Sequence, residues 1–225
     1  GGDIFRELAE TVRNLTEPDA GSNSWALTPD RTTTGAPLIA GDPHRGLDVP
    51  NVYYQNHISC PDFDVIGLSF PGCPGFPHFG HNARVAWCVT HAMADYQDLY
   101  VERFNPENLF EYEFNGEWRA AQVVPETIKV RGESDINVEV VATEHGPVVA
   151  GDRRTGTALA LKYTALDGPN PFANALRDMM TVSSVQDMDE AMRPWVDPCN
   201  NILCADVHDN ISSLMRGNLP VRSRA

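Results

Sequence analysis

The stretch Gly21-Ser22-Asn23-Ser24-Trp25, with Asp42-Pro43-His44 further along, is the part of the chain whose reading decides the fold. It sets a serine directly after a glycine, as a chain requires if it breaks its own Gly21–Ser22 bond and leaves Ser22 as a new N-terminus. A serine hydroxyl is a weak nucleophile near neutral pH, but an N-terminal serine brings its own base. The free α-amine has an unperturbed pKa of roughly 7.7–8.0, so much of it is available to take a proton, directly or through one water. Glycine before the nucleophile suits an N→O acyl shift, because the distorted peptide that precedes scission needs unusual φ and ψ. Taken alone, these five residues read more simply as a turn, since Gly, Ser and Asn are common turn formers.

Composition agrees with an enzyme without identifying one. At 225 residues, 42% hydrophobic and 21% charged, the chain has enough apolar material for a substantial core with no metal or disulfide staple. A formal net charge of −14 argues against nucleic acid or an anionic membrane surface as partner, because either would repel it. No apolar run approaches the roughly 18 residues of a membrane span. There is no signal peptide, the first residue is Gly, and no closing element follows Arg222-Ser223-Arg224-Ala225, so the chain reads as a fragment of a longer precursor. Cys60, Cys73, Cys88, Cys199 and Cys204 form no Cys-x-x-Cys or zinc spacing. They are expected as buried small apolar residues, with a Cys60–Cys73 bridge left open.

The hydrophobic pattern predicts one helix at the start, many strands, and helices again near the end. Ile4, Phe5, Leu8, Ala9 and Val12 have helical spacing over Asp3 to Asn14, and a polar link from Thr16 to Gly21 follows as an exposed spacer. Trp25 to Leu27 and Pro37 to Ala40 pair around a turn at Arg31 to Gly35, holding the nucleophile at a sheet edge. Further strands are expected over Val52–Ile58, Phe63–Phe70, Val85–Thr90, Thr127–Arg131, Asn137–Thr143 and Ala158–Tyr163. Glu111 to Phe114, Asn115-Gly116 and Glu117 to Arg119 form a hairpin with a type I′ turn. Helices return at Pro171–Met179 and Ser184–Met192, the latter capped by Ser183 or Ser184. On pattern alone this allows a β-sandwich.

Ordered blocks along the chain resemble the penicillin acylase family of N-terminal-nucleophile hydrolases, closest to its cephalosporin-acylase and acyl-homoserine-lactone-acylase branches. They are Ser22-Asn23-Ser24-Trp25-Ala26, Ala40-Gly41-Asp42-Pro43-His44, the Gly67–Gly75 stretch, Phe76-Pro77-His78-Phe79-Gly80-His81-Asn82, Trp87-Cys88-Val89-Thr90, His145-Gly146-Pro147-Val148, Pro198-Cys199-Asn200-Asn201, Ala205-Asp206 and Pro220-Val221-Arg222. The resemblance implies an α+β fold, the four-layer αββα sandwich of these hydrolases, with this chain as its β-rich portion. It divides the chain into residues 1–21, the end of the segment before the cleavage site, and 22–225, the first part of the β-chain. An α-chain from the same precursor is the implied partner, and a periplasmic or secreted location is implied for the parent.

The same resemblance assigns residues. Ser22 is nucleophile and base, with Gly21 and Ser22 flanking the cleaved bond. Asn201 aligns with the oxyanion-hole asparagine, Asn200 being its adjacent rival, and His91 supplies a backbone N–H to the same hole. His44 orients the nucleophile's surroundings and tunes the amine. Arg45, Tyr54, His78 and Phe79 fall where acyl-pocket residues lie, and Arg222 matches a supporting arginine. Histidine at position 78, where glutaryl-type acylases have arginine, weakens glutaryl selectivity because it is only partly charged at neutral pH. Asp95 and Asp98 match an aspartate pair that helps hold structural calcium, an ion suited by hard carboxylate oxygens; catalysis itself needs no cofactor.

The implied activity is self-processing hydrolysis of the linear amide in an acylated amine, a β-lactam side chain or an N-acyl homoserine lactone, through an acyl-serine. Two other classes stay open: a non-catalytic β-rich binding module, and a histidine-assisted serine hydrolase that never cleaves itself. The lack of a Gly-x-Ser-x-Gly elbow counts against the usual α/β-hydrolase form of the latter.

Overall fold

The computed structural model describes residues 2–15 and 20–222. Helix α1 spans Gly2–Leu15, and strands β1 (Gly21–Leu27), β2 (Leu38–His44), β3 (Tyr54–Ser59), β4 (Asp64–Ser69), β5 (Phe79–His81) and β6 (Val85–His91) follow. Then come β7 (Gln97–Arg103), β8 (Glu111–Phe114), β9 (Glu117–Ala120), β10 (Gln122–Ile128), β11 (Ile136–Thr143), β12 (Gly146–Asp152) and β13 (Thr157–Tyr163). Helices α2 (Phe172–Met179) and α3 (Val185–Ala191) precede β14 (Asn200–Asp206) and β15 (Ile211–Arg216). The chain divides into two compact units, Gly1–Thr16 with Gln97–Asp167, and Glu17–Tyr96 with Gly168–Ala225. Residues 16–19 of the expected spacer lie outside the described residues.

The first unit is built on an antiparallel sheet ordered β10-β11-β12-β13-β7, with α1 beside β12. Its core joins Phe104, Tyr112 and Ala158. The β8–β9 hairpin turns through Asn115 (φ 53°) and Gly116 (φ 81°), as the Asn-Gly pair predicts. Buried Glu102 accepts a hydrogen bond from Thr143 Oγ1 at 2.6 Å and pairs with His145 Nδ1 at 2.8 Å, so the His145 block serves this unit's interior. The strand expected over Thr127–Arg131 instead spans Gln122–Ile128 and contains Pro125. Proline is tolerated there because β10 is an edge strand.

The second unit centres on an antiparallel sheet ordered β15-β14-β6-β5-β4-β3. Alternation divides its faces. Val85, Trp87 and Val89 of β6, with Ile202 and Cys204 of β14, form one buried cluster with Ala175, Leu176 and Met179 of α2 and Val185, Met188 and Ala191 of α3. A Val, Leu, Ile or Met among them, fully buried, contributes roughly 1.5–3 kcal/mol. On the other face Cys88 Sγ lies 3.6 Å from Ala40 O, beneath the β1–β2 hairpin. The helix face is fixed by polar pins: Trp87 Nε1 donates to Phe76 O at 2.9 Å, and Asn82 Nδ2 to Val182 O at 2.8 Å. Ser184 caps α3 by accepting from Asp187 N at 3.0 Å, as expected. All five cysteines are free thiols, which removes the Cys60–Cys73 bridge.

Asp206 ties this unit together. Its carboxylate accepts N–H bonds from Val185 at 3.0 Å, His208 at 2.9 Å and Asn210 at 3.1 Å, and from the Asn210 side chain at 3.1 Å. Burial alone would raise its pKa, but the donors outweigh burial and hold it below the ordinary carboxylate value. A depressed folded pKa adds stability above the unfolded value near 4 and loses it as pH falls through the folded value. Asp206→Asn is therefore expected to cost roughly 2 kcal/mol or more at pH 7 in urea unfolding, a deficit that shrinks below about pH 4.

Candidate active site

Ser22 is the second residue of β1, whose antiparallel register pairs Gly21 with His44, Ser22 with Pro43 and Asn23 with Asp42. Burial alternates along the strand: Ser22, Ser24 and Ala26 are half-buried against the six-stranded sheet, while Asn23, Trp25 and Leu27 are exposed. His44 shares the outward face with Asp42 and Asn23, its Nε2 lying 3.0 Å from Asp42 Oδ2 and 3.2 Å from Asn23 Nδ2. Its Nδ1 lies 3.3 Å from where a Cβ on Gly21 would sit. The imidazole thus flanks Gly21 on the opposite face of the hairpin from the Ser22 side chain, a position suited to orienting the backbone nitrogen rather than taking the hydroxyl proton.

A cavity of about 550 Å3 opens on Ser22. Gly21, Arg45, His78, Phe79 and His91 line it, together with Tyr53, Val89, Met93 and Asn200. A larger cavity of about 750 Å3 in the other unit is walled by Glu7, Val141, Val148 and Arg153 and holds no Ser, Thr, Cys or His, so size alone does not select the site.

Tyr54 is not on the Ser22 cavity wall. It is 47% exposed at the start of β3, and its neighbour Tyr53 turns inward instead, with its hydroxyl 2.7 Å from His78 Nδ1. Adjacent tyrosines on opposite faces are indistinguishable by composition, and the strand expected from Val52 starts only at Tyr54. Burial, with lesser contributions from the charges of Arg45 and His91, pushes the His78 pKa down to about 4. His91 is pinned differently: its Nδ1 accepts from Met93 N at 3.1 Å, and its Nε2 lies 3.1 Å from Tyr96 Oη. That leaves its backbone N–H. Ladder bonds between β6 and β14 fall at even residues of β6, with Ala92 N donating to Cys199 O and Val207 N to Arg84 O. His91 N–H therefore points to the other side, past Phe79, where β5 has ended.

The register puts one asparagine on each face of β14. Asn201 shares the hairpin face with Thr90, and its Nδ2 donates to Thr90 Oγ1 at 3.3 Å; it is not among the residues lining the cavity. Asn200 lines the cavity but lies on the helix face, buried, its Nδ2 without a partner. Asn201 thus lies on the sheet face that the inward side of β1 meets, and Asn200 on the opposite one.

Arg222 is bound to Asp95, Nη2 to Oδ1 at 3.1 Å, rather than to the cavity. Asp98 belongs to β7 in the other unit, and no group of three His, Cys, Asp or Glu among the described residues forms a metal cluster. Cys88, beneath the hairpin, is no rival nucleophile: burial pushes its thiol up to about 11.

His78 gives this site a pH signature. Its folded pKa lies below the unfolded value near 6.5, so the unfolded chain binds the extra proton between that value and about 4, and stability falls as pH drops through this window. Nitrogen-15 NMR of the imidazole is expected to show a neutral ring at pH 5.5, protonating only near pH 4.

Comparison with known proteins gives the chain its family. The Penicillin amidase family model matches residues 4–225. A penicillin acylase 2 proenzyme from Pseudomonas sp. (strain SE83) is 43% identical over 204 residues, covering 91% of this chain and 26% of that protein. An acyl-homoserine lactone acylase QuiP from Pseudomonas fluorescens (strain Pf0-1) is 31% identical, covering 89% of this chain and 25% of that protein. Among solved structures, a thermostable penicillin G acylase from Alcaligenes faecalis superposes with a TM-score of 0.77 at 27% identity, over 86% of this chain and 35% of its own. The chain thus spans about a quarter of the length of these curated relatives. It belongs to the penicillin amidase family.

Proposed function

We propose that this chain carries the nucleophile of a self-processing amidohydrolase acting on acylated amines, with Ser22 attacking first its own Gly21 carbonyl and then the substrate. The observation that carries the reading is the position of the Gly21–Ser22 bond: on the wall of a cavity, at the start of a strand held against a sheet. A relative whose name is a proenzyme, and relatives named as acylases, support it.

In self-cleavage, Ser22 Oγ adds to the Gly21 carbonyl, the C–N bond breaks, and the nitrogen takes up the hydroxyl proton to become the α-amine. Water then hydrolyses the Gly21 ester. In turnover the same hydroxyl passes its proton to that amine while Oγ attacks the substrate carbonyl. The His91 N–H, pointing past the end of β5, stabilises the developing oxyanion, a donor of a type worth about 3–4 kcal/mol when well aimed. The amine leaves with the proton, and water frees the acid from the acyl-serine. His44, held by Asp42, orients the nitrogen, and Arg45, Tyr53, His78 and Phe79 take the acyl group. Asn201 Nδ2, on the sheet face beneath the hairpin, would be the second oxyanion donor, and other parts of the parent polypeptide would complete the sandwich: this chain's helix, sheet and hairpin layers would be three of the four. Residues 1–21 would then be the end of the segment ahead of the scission, and 22–225 the start of the catalytic chain.

The outward-facing His44 counts against a hydrolase in which histidine activates an uncleaved Ser22. Intact-mass measurement of the full-length parent is expected to show a break before Ser22, absent in Ser22→Ala, with amidase activity down at least about a thousandfold in that variant. An unbroken chain that hydrolyses acylated amines would contradict the reading.

A further inference from the structure

We propose that the Ser22 cavity selects acyl groups bearing a neutral hydrogen-bond acceptor, such as a ketone or amide oxygen, through the Tyr53–His78 pair. The inference rests on the amidohydrolase reading above and names the acyl class that reading leaves open.

The Tyr53 hydroxyl lies 2.7 Å from His78 Nδ1. A phenol is the stronger proton donor and an imidazole nitrogen the stronger acceptor, so the O–H donates to Nδ1 and the ring's own proton resides on Nε2. Phe70 meets the imidazole edge-on at 4.7 Å between centroids, and Phe79 at 6.1 Å. Tyr53 packs on the same two rings at 4.8 and 5.6 Å, so the pair cannot swing away without unpacking both. Burial keeps the imidazole uncharged down to about pH 4. The result is one fixed, neutral N–H donor in an aromatic surround.

Such a donor discriminates in two directions. A plain alkyl chain would cover Nε2–H without pairing it, which takes away the donor's bond to water and returns none. A carboxylate would surrender its hydration to a neutral donor, which repays a buried charge poorly. Arg45, the cation on the same wall, is exposed, so solvent screens its attraction. A ketone or amide oxygen loses little hydration and gains the bond.

The test uses the processed full-length enzyme and three anilides matched in length: hexanoyl, 5-oxohexanoyl and glutaryl. The expected kcat/KM for 5-oxohexanoyl exceeds each of the others by about tenfold, the scale of one neutral hydrogen bond. His78→Leu should bring the 5-oxohexanoyl to hexanoyl ratio close to one, and His78→Asn, which keeps an N–H donor, should restore part of it. A wild-type ratio near one, or a preference for glutaryl, overturns the proposal. Nitrogen-15 NMR of His78, with N-methyl-5-oxohexanamide as probe, gives a readout that needs no turnover. A proton found on Nδ1 also overturns it, whereas an Nε2–H resonance that shifts with the probe supports it. If that shift appears while none of the anilides is hydrolysed, the amidase reading fails and the binding assignment stands.

Discussion

The Ser22 cavity depends on how closely the β1–β2 hairpin lies on the six-stranded sheet, and Gly41 sets that approach. A Cβ on Gly41 would sit 2.6 Å from Phe79 Cε1 and 2.7 Å from Cys88 Cβ. The inward residues of β1 are small for the same reason: Ser22, Ser24 and Ala26 fit a narrow gap that a larger side chain would wedge open. With the hairpin flat against the sheet, Phe79 and Val89 become walls of the cavity in which Ser22 opens. Gly67 repeats the device one layer down, where a Cβ would lie 2.1 Å from Phe79 O, so the strand that bears Phe79 is itself held by a glycine.

The titratable groups near Ser22 are each disarmed. His78 is held neutral by burial and bound to Tyr53, His91 has both ring nitrogens in contact with neighbours, and Cys88 is kept a thiol. His44 stands on the outward face with Asp42. No side chain in this arrangement is an obvious base for the Ser22 hydroxyl, which is the condition under which an α-amine on the same residue becomes the natural proton acceptor. The local electrostatics and the sequence position of Ser22 are the two supports of the proposed chemistry.

Most of the strand pattern was legible because alternation and turn residues are local. The Asn115-Gly116 turn, the pairing of Trp25–Leu27 with Pro37–Ala40, and the Ser184 cap all followed from short-range rules. Strands β5, β7, β12, β14 and β15 went unmarked, β5 because three residues with a central glycine carry no periodic signal, and β12 because Gly146, Pro147 and Gly151 read as breakers. At the site, Ser22, Arg45, His78, Phe79 and His91 were legible as residues around one cavity. Facing was harder to read: Tyr53 and Tyr54, and Asn200 and Asn201, are neighbours in sequence, and a shift of one residue moves a side chain to the other face. Asp206, which matched only as part of a sequence block, proved to be a structural carboxylate bound to four donor groups.

The most direct measurement of the proton acceptor is the kcat/KM of fully processed parent enzyme before and after selective alkylation of the Ser22 α-amine, near pH 6.5 where lysines are protonated. Blocking the nitrogen while leaving the hydroxyl intact is predicted to abolish amide hydrolysis, in proportion to the fraction modified as read by mass spectrometry. Full activity in enzyme whose Ser22 nitrogen is quantitatively blocked would contradict the amine as base.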